Sequence, residues 1–437
     1  MSWRKKLAGK LVTPEDAVSV VKSGDVVAVA PFTLTPHTLC AALMERKDKL
    51  RDVKVEHGAS IFPWAQPGAE QAFRLRTIYA TPIDREACNA GAADYLPFAA
   101  WKSYEMVAGF GASPDVYMVP VSPPDAQGYC SFGSGVWFSG TLCANATNVI
   151  AEVHEDFIRT GGENYVHMSQ IDQFCEPRVP TGNAPIAPRS EEETMVTEVI
   201  CTLVANELIH DGDTIQIGIG TVSSALALYL GNRREIGIQT EIITGGITDL
   251  VEQGVVTGQH KSIHKGKVVA SACVALEPRE LQYMDGNPVF ELYDFGHTDD
   301  LRRLIHIPNF VAVNNALQID LSGQIASESL GQQIYTGVGG QTVFMIAGAY
   351  SEGGRSVSVT PSSSLVNGKR VSRIVPELMP GSVVTVPRTL VDYIVTEYGI
   401  ATMRGKTLKE RTQELLNVAH PEFRDELCAA AKRLNRL

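Results

Sequence analysis

Residues 238–246 read IQTEIITGG and place one carboxylate, Glu241, at the end of an apolar stretch, just before a Thr-Gly-Gly turn. Desolvating a carboxylate costs several kcal/mol unless something compensates. Glu241 is therefore either a solvated loop residue or a group kept for chemistry. Two glycine-rich segments could bring backbone close to a ligand. In IGIGTVSSA, 217–225, Gly218 and Gly220 stand between a strand and a helix. Backbone N–H groups and the positive helix end can approach an anion or a carbonyl oxygen there. In YTGVGGQTVF, 335–344, three glycines in four residues lie between β-formers, which lets the backbone come very close to a ligand. Each segment taken alone also reads as a tight turn.

Other chemistries lack their signatures. Ser223 stands where the third glycine of a dinucleotide fingerprint belongs, and the Gly-Lys-Ser/Thr of a P-loop is missing. No G-x-S-x-G elbow occurs. HKSIH, 260–264, has two histidines at helical i, i+4 spacing but neither the glutamate of H-E-x-x-H nor an evident third ligand, so no metal is expected. Cys130 in GYCSFG has no obvious histidine partner and reads as core. Lys369, Arg370 and Arg373 lie in TPSSSLVNGKRVSRIV, 360–375, which reads as a polar loop feeding a strand; they could meet phosphate or simply face water.

The elements that must position Glu241 follow from patterning. The chain has 437 residues, 44% apolar and 20% charged, which suits a globular α/β protein of two domains. A net charge of -11 excludes a basic nucleic-acid footprint. No apolar run reaches the roughly 18 residues of a membrane span, and MSWRKKLAGKLVTPEDA lacks the apolar region of a secretory signal. The eight cysteines are scattered without a C-x-x-C pair, which reads as reduced thiols in a cytoplasmic protein.

The proline-rich run EPRVPTGNAPIAPRSEEE, 176–193, separates two domains, 1–185 and 194–437. After it the order is helix (ETMVTEVICTLVANELIHDGD), strand (TIQIGIG), helix (TVSSALALYL) and strand (IGIQTEII), which predicts a parallel sheet. PEDAVSVVKSGD, VVAVAPF, TPHTLCAALMERKDKL and VKVEHGA repeat that order near the N-terminus, with Thr35 expected as N-cap and Pro36 at the first helical position. Superposed, Gly24-Asp25 matches Gly212-Asp213, Thr33 matches Thr221, and Gly58 falls at Glu241. This reads as an internal duplication in which only the second half carries the glutamate.

Taken in order, GIGT (218–221), TE (240–241), NNALQIDLSGQIASES (314–329), YTGVGGQ (335–341), VDYIVTEYGIATMRGK (391–406) and AHPEFRDEL (419–427) resemble the acetyl-CoA hydrolase/transferase family, in the branch typified by 4-hydroxybutyrate CoA-transferase. The resemblance runs from about residue 10 to about residue 430. It implies two related α/β domains with mostly parallel sheets and an active site in the cleft between them. It implies a CoA-transferase that moves CoA from an acyl-CoA to a small carboxylic acid, with Glu241 as nucleophile and a glutamyl-CoA thioester as intermediate. The turn Gly218, Ile219, Gly220, Thr221 and the loop Gly337, Val338, Gly339, Gly340, Gln341 would border the coenzyme, with Asn315 and Ser362 as further contacts. Coenzyme A enters as substrate, no tightly bound cofactor or metal is implied, and a cytoplasmic homo-oligomer is expected, with no nucleic-acid or membrane partner. Two alternatives stay open: an acyl-CoA hydrolase on the same scaffold, and a non-catalytic CoA-binding subunit. Glu328 and Glu397 are the alternative nucleophiles. Gly245, where the family usually has an acidic residue, Val343, where an aspartate is common, and the stretches PFTLTP and IFPWAQPG depart from its commonest members and leave the acyl group open.

Overall fold

In the computed structural model, which describes residues 2–98, 100–102, 113–181 and 189–437, the two Gly-Asp pairs aligned by sequence begin two units in the same way. Gly24 and Gly212 both have positive φ, at 88° and 81°, a backbone state that glycine enters without steric cost. The Asp25 carboxylate accepts from the Lys22 N–H at 2.7 Å, and the Asp213 carboxylate accepts from the His210 N–H at 2.6 Å. Each aspartate carbonyl then accepts from the next parallel strand, from Lys54 and from Gly237. Lys54 and Gly237 are thus equivalent, and four residues further along lie Gly58 and Glu241.

The chain divides into Met1–Pro185 with Val269–Thr298, and Ile186–Val268 with Asp299–Leu437. The first unit holds a seven-stranded sheet of β1 (Val26–Val29), β2 (Val53–His57), β3 (Phe73–Thr77), β4 (Ala93–Tyr95), β5 (Val116–Val121), β6 (Asn148–Val153) and β7 (Gln173–Cys175), in the order β7-β6-β5-β1-β2-β3-β4. All of its pairings are parallel. In the second unit β8 (Thr214–Ile217), β9 (Gly237–Gln239), β10 (Phe310–Asn315), β11 (Arg355–Val359), β12 (Tyr393–Thr396) and β13 (Gly399–Thr402) run in the order β13-β12-β11-β10-β8-β9. Only the β12–β13 pairing there is antiparallel. In both units the first strand is central and the second lies beside it on one flank; the other flank holds β5, β6 and β7 in the first unit and β10, β11, β12 and β13 in the second. The central strands are buried on both faces but apolar mainly on one: Ile215, Ile217, Val311, Val313, Val357 and Val359 line one face, and Gln216, Ala312, Ser356 and Ser358 lie buried on the other.

Residues 269–298 lie inside the span that sequence patterning assigned to the second domain, yet they pack with the first unit. Val136 N–H donates to the Ser271 carbonyl, Cys273 N–H to the Ser134 carbonyl, and Phe295 N–H to the Trp137 carbonyl. The strand Phe290–Leu292 pairs with Gly161–Gly162. Such long-range pairing leaves no mark on local composition. The expected proline-rich boundary falls partly on residues 182–188, outside the described residues.

Local corrections have simple causes. Pro36, not Thr35, caps the helix His37–Met44, because the Thr35 hydroxyl donates back to the Phe32 carbonyl instead. The segment expected as a helix after Thr221 winds as a 3₁₀ run, Ser223–Tyr229, whose start is drawn in by Ser223 Oγ donating to the Gly218 carbonyl at 2.6 Å. The helix Glu191–Leu203 begins with a full capping box between Ser190 and Glu193. Among the described residues no helix is long and apolar enough to cross a membrane.

Candidate active site

Glu241 lies two residues past the end of β9, at the C-terminal edge of the second unit's parallel strands. This edge is the usual place for ligand sites in open α/β sheets. Thr240 sets its position. The Thr240 hydroxyl donates to the Ile217 carbonyl at 3.1 Å and accepts from the Ile217 N–H at 3.3 Å. A side chain thus continues the backbone ladder one step beyond the strand and fixes the residue that follows. After Ile242–Ile243 the chain turns at Gly246, which has a φ of 88° and starts the helix Ile247–Glu252. The Thr-Gly-Gly run therefore serves a sharp left-handed exit from the position of Glu241.

Glu241 Oε2 accepts a hydrogen bond from the Gly340 N–H at 3.1 Å. Gly340 is the N-terminal boundary residue of the ten-residue helix Gln341–Tyr350, where unpaired N–H groups and the helix dipole favour negative charge. Gly339 just before it has a φ of 54°. The Glu241 side chain keeps partial contact with solvent, but burial raises its carboxyl to about 7, against the lowering effect of the Gly340 hydrogen bond. A Cβ at Gly340 would lie 2.7 Å from Phe344 Cε2 and 2.8 Å from both Asp299 Oδ2 and Glu241 Oε2, so glycine is required there.

The GIGT turn joins this centre through Asn315, the last residue of β10. The Asn315 carboxamide accepts from the Val222 N–H at 3.3 Å and donates to Ser223 Oγ at 2.8 Å. Its backbone carbonyl accepts from the Gln341 side chain at 2.9 Å. Gly220 is held so closely that a Cβ would sit 1.4 Å from Asn315 Nδ2. Beneath the turn, Gln216 and Asn314 exchange two side-chain hydrogen bonds at 2.8 and 3.2 Å. Gly218, Ile219 and Gly220 are half-buried, and Thr221 is exposed at the tip. Gly337, Val338 and Gly339 lead into Gly340, so both glycine segments and Asn315 belong to one hydrogen-bonded set with Glu241.

Ser362 follows β11 on the same strand edge but is fully buried. Its N–H and hydroxyl both donate to the Glu397 carboxylate, at 2.9 and 2.5 Å. Glu397 therefore fastens the end of one strand to the next. Glu328 accepts from Thr385 Oγ1 at 3.0 Å. Neither has the Gly340 contact. Residues 363–372, read as a polar loop, form a hairpin of Ser363–Val366 and Lys369–Ser372 around Asn367 and Gly368, both at positive φ. The Asn-Gly pair was the available signal for that turn. His260 and His264 do not share a helix, and His260 Nε2 meets Glu235 at 2.7 Å. Among the described residues no group of three or more His, Cys, Asp or Glu is placed to hold a metal.

Residues 1–180 match the acetyl-CoA hydrolase/transferase N-terminal domain, and residues 278–431 match the C-terminal domain of the same name. The chain is 34% identical to 4-hydroxybutyrate coenzyme A transferase of Clostridium kluyveri, over 99% of this chain and 100% of the relative. It is 32% identical to succinyl-CoA:cyclohexane-1-carboxylate CoA transferase of Geobacter metallireducens, over 100% and 98% of the two chains. Among solved structures, RipA from Yersinia pestis superposes with a TM-score of 0.89 at 29% identity, over the whole of both chains.

Proposed function

Since the chain belongs to the acetyl-CoA hydrolase/transferase family, we propose that it transfers coenzyme A from an acyl-CoA to a small carboxylic acid through a covalent intermediate on Glu241. One observation carries this reading: a desolvated carboxylate at a strand end, with one oxygen on the Gly340 N–H and the other not held by it.

Glu241 Oε1 attacks the carbonyl carbon of the acyl-CoA. The C–S bond breaks, and an acyl-glutamyl anhydride and the CoA thiolate form. The thiolate then attacks Cδ of Glu241. The C–O bond to the acyl group breaks, the first acid leaves as its carboxylate, and a glutamyl-CoA thioester remains. An incoming carboxylate attacks the same Cδ, and the steps run in reverse. Charge is conserved throughout, and the exchange of one thioester for another needs no ATP. Kinetics of the ping-pong type follow from the split.

Each attack at Cδ places negative charge on Oε2, which already faces the Gly340 N–H. A preset donor of this kind is worth about 3–4 kcal/mol in known enzymes. The raised proton affinity of Glu241 makes its anion a better nucleophile than an ordinary surface carboxylate. The GIGT turn, Asn315, the 337–341 loop and the segment at Ser362 form the surface that takes the coenzyme. Asn315 and Ser362 act there by holding the backbone, since their side chains are already bonded within the protein. Incubating the enzyme with acyl-CoA and no acceptor, then trapping with hydroxylamine or borohydride, tests the reading: modification on the peptide holding Glu241 is expected. Modification on Glu328 or Glu397 instead would overturn it.

A further inference from the structure

Asp299 is a buried carboxylate outside every motif discussed so far. Its side chain belongs to the same unit as Glu241 and is 0% exposed. Asp299 Oδ2 and Glu241 Oε2 each lie 2.8 Å from the point where a Gly340 Cβ would stand, so the two oxygens are no more than twice that distance apart. The missing side chain of Gly340 is the space over which two carboxylates converge.

Resting on the reading of Glu241 as the nucleophile, we infer that Asp299 is a positioning residue for the reaction: it and Glu241 form one carboxylate pair over Gly340, and the pair governs when Glu241 is ionised.

The helix Gln341–Tyr350, which faces both carboxylates with its first turn, carries no Asp, Glu, Lys, Arg or His. Strand β9, which leads to Glu241, carries no ionisable group. The segment after Asp299 carries Asp300, Arg302 and Arg303. Both arginines close on the Asp300 carboxylate, at 2.9 and 3.4 Å, with their side chains 85% and 46% exposed. Two carboxylates this close in a desolvated site resist ionising together. Such a pair serves the proposed chemistry directly. Turning Glu241 from an anion into a neutral anhydride or thioester removes one of two like charges. The covalent intermediate is therefore favoured over the resting dianion, and the Glu241 anion is more basic than it would be alone.

The test compares the pH dependence of single-turnover thioester formation in the full-length wild type and in Asp299→Asn. The acid limb of the variant should lie lower by roughly one pH unit, with a several-fold slower plateau, because its Glu241 is less basic. Asp299→Glu, which keeps the charge, should keep the limb at the wild-type pH even if the rate falls. A limb that stays in place or moves up in a folded Asp299→Asn protein overturns the inference. Should that variant fail to fold, the wild type labelled with ¹³C at its carboxyl groups answers the same question without turnover. The Glu241 resonance, assigned by its loss in Glu241→Gln, should titrate in two coupled steps; a single step overturns the pair. Failure to trap a thioester on Glu241 would remove the nucleophile reading and leave this titration standing on its own.

Discussion

Glu241 Oε2 and the backbone N–H of Gly340 lie 3.1 Å apart, although 99 positions separate them in the chain. This bond ties the end of one parallel strand to the start of a helix. It also leaves the carboxylate in a site where its anion is desolvated. The consequences can be measured separately.

Activity should depend on pH through Glu241. Its carboxyl titrates at about 7, raised by burial, and only the anion attacks. kcat/KM should fall with decreasing pH below about 7, with the slope of one proton. The measurement is a kcat/KM profile for the acyl-CoA donor. A profile flat from pH 5 to pH 8 would remove Glu241 anion formation from the rate.

Stability should show the opposite sign. A carboxyl raised in the folded state binds its proton more tightly there than in the unfolded chain. Between the ordinary value of 4.5 and about 7 the folded state holds the extra proton, so this group's contribution falls as pH rises through that window. Glu241→Gln should therefore melt higher than wild type above pH 7, and the difference should shrink towards pH 4.5. Melting temperatures of both proteins across that range decide it.

Gly340→Ala should lose roughly 10²–10³-fold in kcat, since the new methyl would stand 2.8 Å from Glu241 Oε2 and Asp299 Oδ2 and must displace the N–H or the carboxylate. The fold should survive. A variant that stays folded with wild-type kcat would show that the Gly340 N–H does not serve the reaction.

Asn315→Ala should act on binding rather than on chemistry. It strips the Val222 N–H and Ser223 Oγ of their partner. Unmet polar groups cost about 1–3 kcal/mol each. Loosening of the GIGT turn should raise KM for acyl-CoA by roughly tenfold while a thioester still forms on Glu241. A fall in kcat with KM unchanged would place Asn315 in the chemical steps instead.

Much of this was readable in the chain, and the rest was hidden for physical reasons. The helix-strand alternation around Asp25 and Asp213 shows because each element is apolar with its own period. The match of Gly58 to Glu241 shows because both halves use the same Gly-Asp turn. The return of residues 269–298 to the first unit does not show, because it rests on backbone pairing with Gly161–Gly162 and with the Ser134–Trp137 segment. The roles of Thr240, Asn314 and Asp299 were hidden too, because a lone Thr, Asn or Asp reads alike in sequence whether it faces water or a buried partner such as the Ile217 backbone, Gln216 or Glu241. The hairpin at Asn367-Gly368 was legible and missed, because its polar strands hid the turn signal between them.

Whether turnover is transfer or hydrolysis depends on what reaches the thioester. With an acyl-CoA donor and no acceptor, free thiol should appear at a small fraction of the rate at which a panel of small carboxylic acids forms new acyl-CoA. Equal rates with and without acid would instead assign a hydrolase.

The most direct measurement is peptide mass spectrometry of the full-length enzyme, trapped with hydroxylamine or borohydride after exposure to acyl-CoA alone. The modification should map to Glu241 and be absent from Glu241→Ala. An unmodified Glu241 in an enzyme that still exchanges CoA would contradict the covalent route.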